Sequence, residues 1–234
     1  MHISKRSSNI FFTFFVVVIT AKLGFAQNFT VIDTLKGVEE GHVEWGDFDN
    51  DGDLDILLTG DAQPVFTQIY ENRAGTFIER KFDFLNVRNS HVSWADYDND
   101  GDLDVLVQGR DQDGDESAQL YRNDGNAFSE VETDIDGFEK GFSAWGDYDN
   151  DGDLDLVIAG DLNEGDDNFA TLYRNDGDGE FTEIDAGILG GEDPGIDWGD
   201  FDKDGDLDLL ISGEGDDDFS MRVYRNTGGV FQDV

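Results

Sequence analysis

One acidic segment occurs four times in this 234-residue chain and dictates most of what the chain can fold into. It reads W-G-D-F-D-N-D-G-D-L-D from Trp45 and W-A-D-Y-D-N-D-G-D-L-D from Trp94. It returns as W-G-D-Y-D-N-D-G-D-L-D from Trp145 and W-G-D-F-D-K-D-G-D-L-D from Trp198. The copies stand 49, 51 and 53 residues apart, and all four tryptophans occupy the same repeat position. A second landmark follows each loop: Tyr70-Glu71-Asn72 with Phe77, Tyr121-Arg122-Asn123 with Phe128, Tyr173-Arg174-Asn175 with Phe181, and Tyr224-Arg225-Asn226 with Phe231.

Each unit divides into four short strands. The first ends at the tryptophan and alternates, as in Val43/Trp45, Val92/Trp94 and Ile196/Trp198. The second follows the acidic loop and is nearly all apolar, as in Leu54-Asp55-Ile56-Leu57-Leu58. A continuous apolar run of that length reads as a strand covered on both faces. The third carries Ile69-Tyr70 and its counterparts, and the fourth starts at the phenylalanine. Asn and Gly between the last two tolerate the positive φ of a tight hairpin. Four antiparallel strands recurring about every 50 residues is the arithmetic of a β-propeller blade. The expected fold is therefore all-β, a propeller or partial propeller of four-stranded antiparallel blades. A sandwich or a linear array of small β-units is the structural alternative.

The loops span 47–55, 96–104, 147–155 and 200–208. In each, aspartates occupy positions 1, 3, 5, 7 and 9 around a glycine at position 6. Two carboxylates held about 4 Å apart repel by roughly 4 kcal/mol at an effective dielectric near 20. A solvated acidic turn would explain one such match; four in register call for a cation. Hard oxygen ligands without Cys or His favour Ca²⁺ over zinc or copper, and Mg²⁺ demands a tighter octahedron. The side chains of Asp47, Asp49, Asp51 and Asp55 are the candidate ligands of the first loop, with the Asp53 carbonyl. Their counterparts are Asp96, Asp98, Asp100, Asp102 and Asp104; Asp147, Asp149, Asp151, Asp153 and Asp155; and Asp200, Asp202, Asp204, Asp206 and Asp208. About four Ca²⁺ ions, one per repeat, are expected. An EF-hand would need Glu at position 12, where Leu58, Val107, Ile158 and Ile211 stand instead, so that reading fails. Nonapeptide calcium repeats fail too, because their G-G-x-G-x-D pattern does not recur.

The D-[FY]-D-x-D-G-D-L-D loop, its apolar strand and the Y-x-N…G…F hairpin resemble the FG-GAP/VCBS-type repeat. The same loop occurs in the β-propeller of integrin alpha subunits. The resemblance covers all four units, from about Phe29 to Val234, and it implies calcium ligands at the positions just named. Lys203 replaces Asn at position 4 of the last loop, a position the resemblance does not make a ligand, and little effect is expected. The phenylalanine-glycine and glycine-alanine-proline signatures of the integrin repeats are missing, so integrin-like recognition is not carried over. Relatives commonly form seven blades. A partial propeller is the preferred reading here; a truncated sequence, a four-bladed ring and assembly of two chains into a larger ring stay open, and an incomplete propeller implies self-association. Phe29-Thr30-Val31-Ile32 resembles a further fourth strand.

Residues 1–26 read as a secretory signal peptide, with Lys5 and Arg6, an apolar run from Ile10 to Ile19, and small residues Gly24 and Ala26 at the cleavage positions. The run is far short of the roughly 20 residues that span a bilayer, and nothing later resembles a span. The repeat domain is then 27–234, secreted or at the cell surface. Removing the signal leaves 12 basic against 55 acidic residues, a formal net charge of −43. Such a surface repels nucleic acid and attracts cations. The chain has no cysteine, so calcium takes the stapling role that disulfides take in other extracellular proteins. Asn28-Phe29-Thr30 is a glycosylation sequon, relevant in a eukaryote.

No catalytic constellation stands out. His42 and His91 each lie three residues before a repeat tryptophan and read as strand residues. Carboxylate pairs abound but belong to the metal loops, and Arg122, Arg174 and Arg225 are at repeat positions. Asp111-Gln112-Asp113-Gly114-Asp115 reads as a solvated loop rather than a further cation site. The expected function is a non-enzymatic binding, adhesion or scaffold module for an extracellular protein or glycan. The alternative is a carbohydrate-active enzyme, since some polysaccharide lyases use calcium-bearing propellers.

Overall fold

The computed structural model describes residues 31 and 34–234, apart from 126, 162–168 and 215–218. The expected signal peptide, the sequon and most of the Phe29–Ile32 segment lie outside the described residues, as does the acidic loop from Asn163 to Asn168. Every described element is a strand, and none of the described residues forms a helix long and apolar enough to cross a membrane.

Sixteen strands form four separate antiparallel sheets, each in simple up-and-down order. Blade 1 comprises β1 (Val43–Gly46), β2 (Asp55–Asp61), β3 (Val65–Arg73) and β4 (Thr76–Arg80). Blade 2 comprises β5 (Arg88–Ala95), β6 (Asp104–Arg110), β7 (Glu116–Asn123) and β8 (Phe128–Val131). Blade 3 comprises β9 (Glu139–Gly146), β10 (Asp155–Asp161), β11 (Phe169–Asn175) and β12 (Phe181–Ile184). Blade 4 comprises β13 (Glu192–Gly199), β14 (Asp208–Glu214), β15 (Phe219–Thr227) and β16 (Val230–Asp233). The first strands β1, β5, β9 and β13 lie beside one another in that order, which is the blade stacking of a propeller. The expected division into four-stranded units is thus the observed one.

The core lies between blades. Phe48 and Leu57 of blade 1 pack with Val92, Val105, Val107 and Tyr121 of blade 2. The connecting segment supplies Phe84 and Val87 to the same cluster. Ile135 and Phe138 play that part between blades 2 and 3, and Ile188 between blades 3 and 4. These residues stand ten and seven positions before the tryptophan of the blade they introduce. Leu35 and Val38 hold the same two positions before Trp45 and pack on the outer face of blade 1. The connecting segments are pinned by the repeat tyrosines. The Tyr121 hydroxyl accepts the Leu85 N–H at 2.7 Å, Tyr173 that of Asp136 at 3.1 Å and Tyr224 that of Leu189 at 3.0 Å.

Second strands need their apolar sequence because both faces are covered. Leu57, Leu106 and Val157 are all buried, and each contributes about 1.5–3 kcal/mol by leaving water. Their counterpart Leu210 is 40% exposed, on the face of blade 4 turned away from blade 3. The tryptophans serve the same packing. A Cβ on Gly46 would meet the Trp94 ring at 2.7 Å, and one on Gly146 would meet Trp198 at 2.8 Å. Glycine lets the indole of the next blade lie flat on the strand end.

Candidate metal centres

Each acidic loop closes the gap between the first and second strands of its blade. The glycine at position 6 has a positive φ (91° at Gly52, 95° at Gly101), which a side chain would strain. This turn folds the loop back so that its carboxylates meet. In every blade the aspartates at positions 1, 3 and 9 offer oxygens that all lie within 4.8 Å of one another: Asp47, Asp49 and Asp55; Asp96, Asp98 and Asp104; Asp147, Asp149 and Asp155; Asp200, Asp202 and Asp208.

The three positions are held in different ways. Position 1 accepts backbone N–H groups across the bend, Asp47 taking those of Asp51 and Gly52, both at 3.0 Å. Position 9 opens the buried second strand. Asp55 accepts Phe48 N–H at 3.1 Å and Asn72 N–H at 2.7 Å, and Asp104, Asp155 and Asp208 repeat both bonds. Burial pushes the carboxyl of Asp55 up to about 6 and those of Asp104 and Asp155 up to about 7. Position 3 is the least satisfied. Burial, and then the carboxylate at position 5, raise Asp49, Asp98 and Asp149 above the ordinary aspartate value.

The structure does not bring all the expected carboxylates into these clusters. At position 5, Asp51, Asp100, Asp151 and Asp204 each accept the N–H two residues on, at 2.8–3.0 Å. At position 7, three of the four side chains point to the preceding blade. Asn50 Nδ2 donates to Asp102 Oδ1 at 2.6 Å, Asn99 to Asp153 at 2.8 Å and Asn150 to Asp206 at 2.9 Å. Asp53, in the first blade, accepts the Ala74 N–H at 3.3 Å. Position 4, not expected to be a ligand, is a bridge between consecutive loops in the first three blades, and Asn suits it because its φ is positive (56° to 62°).

A cation fits these residues on an observation independent of the motif. Asp49 Oδ1, Asp96 Oδ1 and Asp149 Oδ1 are buried without a hydrogen-bond partner. A buried carboxylate oxygen facing other carboxylates is costly unless a positive charge meets it. The donor set is all oxygen, which suits a hard cation. Four acidic clusters, one per repeat, can thus hold metal ions.

The fourth centre differs. Arg122 and Arg174 pair with Asp124 at 3.0 Å and Asp176 at 2.7 Å, outside the loops. In blade 4 the position of those aspartates is taken by Thr227, and Arg225 instead pairs with Asp202 of the metal loop at 2.9 Å.

Other candidates resolve as structure. Asp111 Oδ1 accepts the N–H groups of Asp113, Gly114 and Asp115 at 2.9–3.0 Å, capping its own turn. His42 and His91 stack at 4.1 Å between ring centroids, and His91 lies 4.0 Å from the Phe142 ring. His91 Nδ1 shares a 3.0 Å hydrogen bond with the Ser143 hydroxyl. Sequence reading also missed a polar cleft of about 400 Å³ between blades 2 and 3. It is lined by Tyr97, Asp98 and Arg122 on one side and by Asp153 and Asp178 on the other. Its only sequence signal is the placement of loop residues on both walls.

Among solved structures, the chain is similar to a lectin of Agrocybe aegerita with a β-propeller-like fold, described for its specific recognition of non-reducing terminal N-acetylglucosamine. The TM-score is 0.61 at 18% identity, a likeness of fold, over 93% of this chain and 59% of the lectin. This chain therefore spans about three-fifths of the lectin's length. No curated protein matches in sequence. Residues 47–107 and 147–211, more than half of the chain, match the family model described as FG-GAP-like repeat. The chain belongs to the FG-GAP-like repeat family.

Proposed function

We propose that this protein is a secreted, non-enzymatic binding module in which calcium fixes the loops that shape its ligand-binding clefts. The observation that carries this reading is the set of partnerless, buried carboxylate oxygens at Asp49, Asp96 and Asp149, each inside an all-oxygen cluster. The residues that would hold each ion are the clustered aspartates at positions 1, 3 and 9, joined by the position 5 side chain, which the structure leaves outside the cluster, and the position 7 carbonyl. Bound Ca²⁺ would supply charge neutralisation and a fixed loop shape.

The cleft between blades 2 and 3 links that metal to a ligand. Asp98 belongs to the second cluster and Asp153 to the third loop, so both walls depend on ordered loops. Carboxylates and the Arg122 guanidinium are groups that bind polyhydroxyl compounds by bidentate hydrogen bonds, and the buried Tyr97 forms the base of the cleft. The lectin-like fold supports a glycan as the ligand class. A glycan array probed with and without chelator, together with a lyase screen, tests the reading. Calcium-dependent retention that Arg122→Ala weakens is expected. Sugar cleavage would favour the enzyme alternative, and the absence of any glycan binding would move the ligand to a protein.

A further inference from the structure

The two open faces of the blade array are counterparts of each other. Several of the repeated contacts that join one blade to the next have one half exposed on blade 4 and the other exposed on blade 1. The tryptophan slot shows this most plainly. Gly46 and Gly146 carry the indoles of Trp94 and Trp198, whereas nothing lies within 4 Å of a Cβ built on Gly199. At the other end, Trp45 is 43% exposed.

The aromatic at position 2 of the loop follows the same rule. Phe48, Tyr97 and Tyr148 are buried, their rings 5.8–6.3 Å from Phe128, Phe181 and Phe231 of the next blade. Phe201 is 51% exposed. The backbone carbonyls of Phe48, Tyr97 and Tyr148 each accept Nδ2 of the next blade's asparagine at 2.7–2.8 Å. Asn72 of blade 1 is the matching donor for the Phe201 carbonyl. Leu210 is open, and Leu35 and Val38 hold the positions whose counterparts Phe84 and Val87 lie in the same cluster as Leu57.

Charge agrees with shape at the loop bridge. Asn50, Asn99 and Asn150 grip the position 7 aspartate of the next blade. The open end carries a cation, Lys203, and the aspartate that no preceding blade grips is Asp53. An ammonium opposite a carboxylate strengthens a contact that is neutral-to-anion elsewhere.

We propose that the open face of blade 4 docks on the blade 1 face of a second copy of this chain, through the same contact that joins successive blades. The acidic surface does not forbid it, because three internal contacts of the same composition already form. Charges more than about 8 Å apart are also screened at physiological salt. The contact is head-to-tail, so two reciprocal contacts would close a ring of two chains and a single one would leave an open array.

The test is the molar mass of the calcium-loaded chain by sedimentation equilibrium across concentration. Self-association is expected in the wild type. Phe201→Glu should raise the dissociation constant roughly 30-fold or more, as loss of a central aromatic anchor does. Gly199→Tyr, which fills the slot where nothing else would be touched, should do the same, and circular dichroism verifies that both remain folded. Trp45→Glu should also be monomeric. A mixture of Phe201→Glu with Trp45→Glu should recover a one-to-one complex, since one intact copy of each face remains. A monomeric wild type, self-association that survives these substitutions, or a mixture that stays monomeric would each overturn the proposal.

Discussion

Asn50 Nδ2 lies 2.6 Å from Asp102 Oδ1, so the bend of one acidic loop holds the next loop in place. The same bridge joins Asn99 to Asp153 and Asn150 to Asp206. Four sites that look independent in the sequence are mechanically continuous along the loop edge of the blades.

Asn99→Gly removes this bridge while keeping a residue that accepts the 59° φ at that position. The loss should lower stability in calcium by about 1 kcal/mol, the usual net worth of such a bond. It should also reduce the cooperativity of calcium loading between the second and third loops. Urea denaturation and a calcium titration of the variant measure the two effects.

The fourth site should be the weakest, because Arg225 competes for Asp202 there. Thr227→Asp restores the partner that occupies Arg122 and Arg174 in blades 2 and 3. We expect the variant to bind its last calcium ion more tightly, with the other three sites unchanged. Isothermal titration of wild type and variant side by side reads this directly.

The histidine pair gives a pH dependence of definite sign. Burial lowers the His91 pKa well below its ordinary value of 6.5, and the neighbouring His42 lowers it further; burial lowers His42 as well. A base whose pKa is depressed by folding contributes stability that is present above its unfolded value and lost as pH falls. The wild type should therefore lose stability relative to His91→Gln as pH drops below about 6.5. Comparing the two proteins cancels the titration of the many carboxylates. A gap independent of pH would show that the imidazole is not held neutral.

Much of the architecture was legible in the sequence because the repeat is strict where the physics is strict. The position 6 glycine, the position 9 aspartate and the apolar second strand each answer a local demand, so they recur unchanged. What stayed hidden are relations between repeats. Asn72, Asn123, Asn175 and Asn226 read as hairpin residues, yet the last three donate across to the preceding blade. The position 4 asparagine looked like a neutral turn residue for the same reason. Alignment on the tryptophans would have exposed the apolar pair ten and seven residues upstream. That spacing crosses the connecting segments, where periodicity within a strand gives no signal. The cleft between blades 2 and 3 depends on two walls 81 residues apart at their extremes, from Tyr97 to Asp178, and required the fold.

A calcium ion in each repeat, as proposed, would fix the acidic loop that joins the first two strands of its blade. The most direct measurement is isothermal titration of calcium into chelator-treated protein, paired with thermal melts in calcium and in chelator. The account predicts about four ions per chain and a melting temperature that falls when calcium is removed, since an ion bound only by the folded state stabilises it by mass action. Asp104→Asn should remove one ion and lower the melting temperature less in chelator than in calcium. A chain that binds no calcium, or melts at the same temperature with and without it, would contradict the account.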